Sequence, residues 1–227
     1  MNSSPVETQT PLLSLRRLQH TFPGSRLCLK MEHLDLHRGE KVALIGRSGC
    51  GKSTLLDLIA GIQVPQRGDV FWGTESVNSL SETRRRDLRL KRIGFIFQDI
   101  CLIAYLNVLD NILVPWRLSP SLKLTTGARD LAVELANRVG LGDQLQAPVN
   151  TLSQGEKQRL MICRALVTTP SLVLADEATS SLDPLSRDLI QTTLMAYVQQ
   201  QRAGLLAVTH DHQTLHTFDR VIDLEAD

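Results

Sequence analysis

Apolar and polar positions alternate through Leu12, Leu13, Leu15 and Leu18, and again through Leu27, Leu29 and Met31. This predicts two half-buried strands separated by a turn at Pro23-Gly24. The run 42–45 is apolar without interruption and reads as a buried strand feeding a glycine-rich loop. A helix is expected over residues 53–60, stopped by Gly61 and Pro65, and residues 70–72 read as another strand. Ser81 is suited to cap a short, very basic helix that runs to Arg92 and precedes a strand over 93–97.

From Asp99 to about Val149 the strand signal fades and helical periodicity takes over, with helices expected over 107–113 and 128–139, the second ended by Gly140. Beyond Glu156 the order is helix, strand 172–175, helix 184–201, strand 205–209, a short helix and a last strand near 220–224. Alternating strands and helices imply an α/β layer structure with a largely parallel central sheet.

Composition narrows the classes. The chain has 227 residues, enough for one large domain or a domain with a smaller subdomain, and 42% hydrophobic content, which argues against disorder. Its net charge of +1 gives no global field for nucleic acid, and no such partner is expected. No stretch reaches the ~18 uncharged apolar residues of a membrane span. Residues 1–11 lack a basic start and an apolar core, so they read as a flexible leader and not a secretory signal. Cys28, Cys50, Cys101 and Cys163 are widely spaced, which argues against a zinc site and a disulfide framework and fits a reducing cytoplasm.

Chemistry concentrates in three strings. Residues 46–54 read GRSGCGKST between a predicted strand and a predicted helix. In such a loop the glycines let backbone N–H groups surround phosphates, Lys52 reaches the terminal phosphates and the Ser53 hydroxyl ligates magnesium. The apolar strand 172–175 ends in Asp176 and Glu177, suited to hold the magnesium shell and to deprotonate an attacking water. Residues 152–156 read LSQGE at the start of an apolar helix. Ser153 there is either a plain helix cap or part of a second phosphate-binding helix terminus.

Together these strings resemble the nucleotide-binding subunit of an ATP-binding cassette transporter, over about residues 12–224. Residues 46–54 match the Walker A loop, 172–177 the Walker B strand and 152–156 the signature; Gln98 matches the Q-loop, 180–183 the D-loop and His210 the switch histidine. The resemblance implies an α/β P-loop NTPase with a mostly parallel sheet, an N-terminal antiparallel β subdomain and a helical signature subdomain. Its expected division is a core over 12–98 and 161–227 with a helical subdomain over 99–160. It implies an ATPase using ATP and Mg2+, with Gly46, Arg47, Ser48, Gly49, Cys50, Gly51, Lys52, Ser53 and Thr54 around the phosphates and Phe22 against adenine. Ser53, Gln98 and Asp176 would serve the metal, and Glu177, His210, Gln98 and Lys52 the reaction.

Two copies would pair head to tail, Ser153, Gln154, Gly155 and Glu156 of one closing on the nucleotide of the other, with Ser181 and Asp183 linking the sites. The implied partner is an integral membrane permease, and the implied location is the cytoplasmic face of the inner membrane. Finer strings, 80–98 and 102–112, resemble the lipoprotein-releasing, macrolide-exporting and cell-division branch. Gln154 replaces a usual glycine, Ala104 a common proline, and residues 178–181 depart from that branch towards amino-acid importers or exporters at large. An importer and a soluble non-transport ATPase remain the alternatives. The basic run 84–92 reads as a solvated helix face, and Cys50 as an inert loop residue. The apolar residues of 98–116, including Tyr105, Leu106 and Trp116, either form a groove for a permease helix or pack within the helical region.

Overall fold

The computed structural model describes residues 10–21, 28–178 and 182–224. The chain runs β1 (Leu13–Thr21), β2 (Cys28–Leu36), β3 (Lys41–Ile45), α1 (Lys52–Ile59), β4 (Arg67–Trp72), β5 (Glu75–Ser76), α2 (Glu82–Arg92) and β6 (Ile93–Ile96). Four helices follow, α3 (Val108–Ile112), α4 (Val114–Leu118), α5 (Thr126–Arg138) and α6 (Gln154–Leu166), and then β7 (Leu172–Asp176), α7 (Pro184–Gln201), β8 (Gly204–Val208) and β9 (Arg220–Asp223).

Two sheets result. An antiparallel sheet has the order β2-β1-β4-β5, and a parallel sheet has the order β6-β7-β8-β3-β9. The expected alternation in β1 skips a step between Leu15 and Leu18, and a bulge explains it. The pairing with β4 shifts register between Arg16 and Gln19, and Arg17 has a φ of 46°. One extra residue returns Leu18 to the buried face.

The parallel sheet has a different core on each face, as period-two side chains dictate. Leu172, Leu174, Leu206 and Val208 pack with α1 and the antiparallel sheet. Val173, Ala175 and Leu205 pack with α3, α5, α6 and α7. The helical region thus shares a core with the sheet, and α6 crosses residues 160 and 161 without a break. The expected helix over 107–113 is α3, capped by Asn107 and Leu113, and a second short helix, α4, follows it with Pro115 in its first turn.

The basic helix α2 is far less solvated than its sequence suggests. Arg89 donates to the carbonyls of Ala60 and Gly61 at the end of α1, and Arg85 to Leu80 O. Arg92 pairs with Glu75 at 2.9 Å. Asp87 is buried and accepts hydrogen bonds from the Ser119 and Ser121 hydroxyls, which fasten α2 to the segment after α4. Those bonds hold its carboxyl down at about 2.

Candidate functional site

The carboxyl edge of the parallel sheet collects the predicted chemistry, because β6, β7, β8 and β3 are neighbours pointing the same way. After β3 the chain turns through Gly46 (φ 144°), Gly49 (φ 81°) and Gly51 (φ 107°), backbone conformations that side-chain-bearing residues resist. Gly51 is the N-cap of α1 and offers no side-chain bond, so the first-turn N–H groups are available to an anion. Arg47, Ser48, Cys50, Ser53 and Thr54 complete the segment. The Lys52 ammonium donates to Gly46 O at 2.8 Å and Arg47 O at 2.7 Å, which folds its charge over the loop. Cys50 Sγ lies 4.0 Å from that ammonium.

Asp176 ends β7 and is 6% exposed. Its Oδ1 is buried without a hydrogen-bond partner, and burial pushes its carboxyl up, opposed by a hydrogen bond with Ser53. A carboxylate oxygen stranded beside a serine hydroxyl fits a magnesium ion, which would supply the missing positive charge. Glu177 follows in a left-handed conformation, φ 46°, with its N–H on Val208 O at 3.2 Å. Its Oε1 meets Nε2 of His210 at 2.9 Å. His210 lies two residues past β8, where Thr209 Oγ1 accepts from Asp211 N–H and fixes the turn. Gln98 is exposed, two residues past β6, and the charge of Asp99 reaches Asp176 from the same edge.

The signature segment lies elsewhere, over the helical core. Ser153 caps α6, with its hydroxyl accepting from Glu156 N–H while the Glu156 carboxylate accepts from Ser153 N–H at 2.8 Å. Gln144 donates to the other oxygen of Glu156 at 2.6 Å, and these bonds draw that carboxyl down to about 2. The acid therefore braces the turn that presents Ser153. Gln154 occupies the first helical position without a positive φ, so the fold makes no demand for glycine there. Gly155 faces Ser186, in the first turn of α7, and Asp183 caps that helix through Ser186 N–H at 3.0 Å.

Phe22 and Ser181 lie outside the described residues. Trp116 is spent on packing, donating to Val167 O at 3.2 Å, whereas Tyr105 is 88% exposed. Sequence reasoning missed three side chains of α6. Gln158 donates to Ala178 O at 2.9 Å, Arg159 to Ser186 Oγ at 3.2 Å and Arg164 to Cys101 O. The available signal was a polar residue, Gln158, on the stripe that continues through Met161, Ile162 and Ala165.

Among the described residues no helix is long and apolar enough to cross a membrane. A family model described as ABC transporter matches residues 29–180. The lipoprotein-releasing system ATP-binding protein LolD of Pseudomonas fluorescens is 37% identical over 221 residues, covering 96% of each chain. That of Hydrogenovibrio crunogenus is 40% identical over 218 residues, covering 94% of this chain and 93% of its own. Among solved structures, the dimeric post-hydrolysis ATP-binding cassette MJ0796 bound to ADP and Pi superposes with a TM-score of 0.84 at 28% identity, covering 93% of both chains. A conserved-length match of this kind, laid over a phosphate loop, a buried aspartate and a glutamate–histidine pair on one sheet edge, leaves a single assignment: the chain belongs to the ABC transporter family and is one of its ATP-hydrolysing subunits.

Proposed function

We propose that the protein is the ATPase of a lipoprotein-releasing transporter, acting as two copies on a separate membrane permease at the cytoplasmic face of the inner membrane. The observation that carries the branch is the near full-length similarity to proteins named as lipoprotein-releasing ATP-binding subunits. The loop of Gly46 to Thr54 binds the ATP phosphates, Lys52 swinging from its carbonyl partners to the terminal ones. Ser53 and Asp176, with Gln98, would hold Mg2+, which would neutralise phosphate charge. Glu177 orients the attacking water and takes its proton, while His210 holds the glutamate and reaches the γ-phosphate.

Pairing of copies has its own support. α1, with the phosphate loop at its start, packs on one face of the parallel sheet, and α6, with Ser153 at its start, packs on the other. A second copy, turned head to tail, can bring Ser153 and Gly155 to this copy's nucleotide, with Asp183 at the junction. Tagged protein recovered from gently solubilised membranes should carry a permease of few spans with a large external domain. Recovery with a many-span solute importer would refute the branch.

A further inference from the structure

The signature helix is tied to the segments around the reaction by its own side chains. Gln158 is 3% exposed, and its amide donates at 2.9 Å to the carbonyl of Ala178, one residue beyond Glu177. Glu177 is held in a left-handed conformation at φ 46°, which a non-glycine residue adopts only when its surroundings enforce it. Three bonds surround it here. Glu177 N–H is fixed on Val208 O at 3.2 Å, its carboxylate on His210 at 2.9 Å, and the carbonyl of the next residue, Ala178, on Gln158. The first two belong to the sheet edge, whereas the third comes from α6, whose N-terminus carries Ser153.

We infer that Gln158 is a positioning residue for hydrolysis: it sets the backbone from which the Glu177 carboxylate is aimed, so that the placement of the signature helix reaches the attacking water within one chain. The inference rests on the assignment of Glu177 as the base. Arg159 and Arg164 extend the same arrangement, because they fasten α6 to Ser186 in the first turn of α7 and to Cys101, three residues past Gln98. A rigid helix bonded at three places moves these segments together. Gln158 is buried and bonds Ala178 O rather than the phosphate loop, so its removal should leave ATP binding intact and misplace the base. A misplacement of about 1 Å is sufficient for about a hundredfold loss of rate.

The test is a double-mutant cycle on the full chain. Gln158→Met keeps the volume and removes the donor; Gln158→Leu, which also lacks a donor, serves should the methionine variant not fold. The expected result is a kcat lower by about 10- to 100-fold, a KM for ATP within about twofold and, in the Glu177→Gln background, no further loss. A loss that multiplies with that of Glu177→Gln, a rise in KM alone, or an unchanged kcat would overturn the inference. The Glu177→Gln protein by itself decides the other reading: normal turnover in it removes Glu177 as the base, and the inference with it.

Discussion

Replacing Asp176 with asparagine should stabilise the protein while it disables it. Asp176 is buried at the end of β7, with Oδ1 unpartnered and Glu177 and Asp99 adding like charge. An unsatisfied buried acceptor costs about 1–3 kcal/mol, and the hydrogen bond with Ser53 offsets part of that. Asparagine keeps the shape and an acceptor for Ser53 while removing the charge, so a net gain of about 1 kcal/mol is expected, or about 2–4 °C in melting temperature for a chain of this size. The folded carboxyl is raised above its ordinary 3.8, so the folded state binds more protons than the unfolded state between the two values. Wild-type stability should therefore fall as pH rises from about 4 through the raised value, and the advantage of Asp176→Asn should be complete above it. Thermal unfolding in chelator across pH reads this directly. With Mg2+ and ATP the order should reverse, since the wild type gains more from ligand than the variant does. An asparagine variant that melts below the wild type in chelator, or gains equally from Mg2+ and ATP, would mean that the Asp176 charge carries no cost in the empty site.

Two further substitutions probe the supports of the site. Ser153→Ala removes the cap of α6 and should cost about 1 kcal/mol in urea unfolding. Its ATPase activity should fall much further than that loss explains; retained turnover would exclude Ser153 from the nucleotide. Asp87→Ala releases Ser119 and Ser121 and should cost about 2 kcal/mol. Because the Asp87 carboxyl is depressed to about 2, that difference should be full at pH 5 and shrink as the pH falls from about 4 towards 2.

The phosphate loop, the Asp176-Glu177 pair and the Ser153 cap were legible in the sequence because each depends on neighbours within a few positions. The resemblance assigned His210 to the reaction, but no spacing brings residue 210 to residue 177, and the strand order that sets the two side by side comes only with the fold. Other features depended on contacts between distant segments. The arginines of α2 read as a solvated face, yet Arg89 is consumed by carbonyls at the end of α1, 28 and 29 positions away. For Trp116 the sequence allows groove or packing alike, and the choice depends on Val167 O, 51 positions on, which accepts from its indole. Nothing in the sequence distinguishes Gln158 from other polar helix residues, because the carbonyl it serves lies past the end of β7 and is reached only by folding. The bulge at Arg17 did leave a trace, in the three-residue step from Leu15 to Leu18.

Glu177 is proposed to draw the proton from water at a nucleotide closed over by a second copy. Glu177→Gln protein incubated with ATP and Mg2+ and passed over a sizing column tests both halves at once. Turnover should fall by about 10²–10⁴-fold, and a stable dimer that retains ATP should elute. Hydrolysis at the wild-type rate, or ATP retained by a monomer, would contradict the proposal.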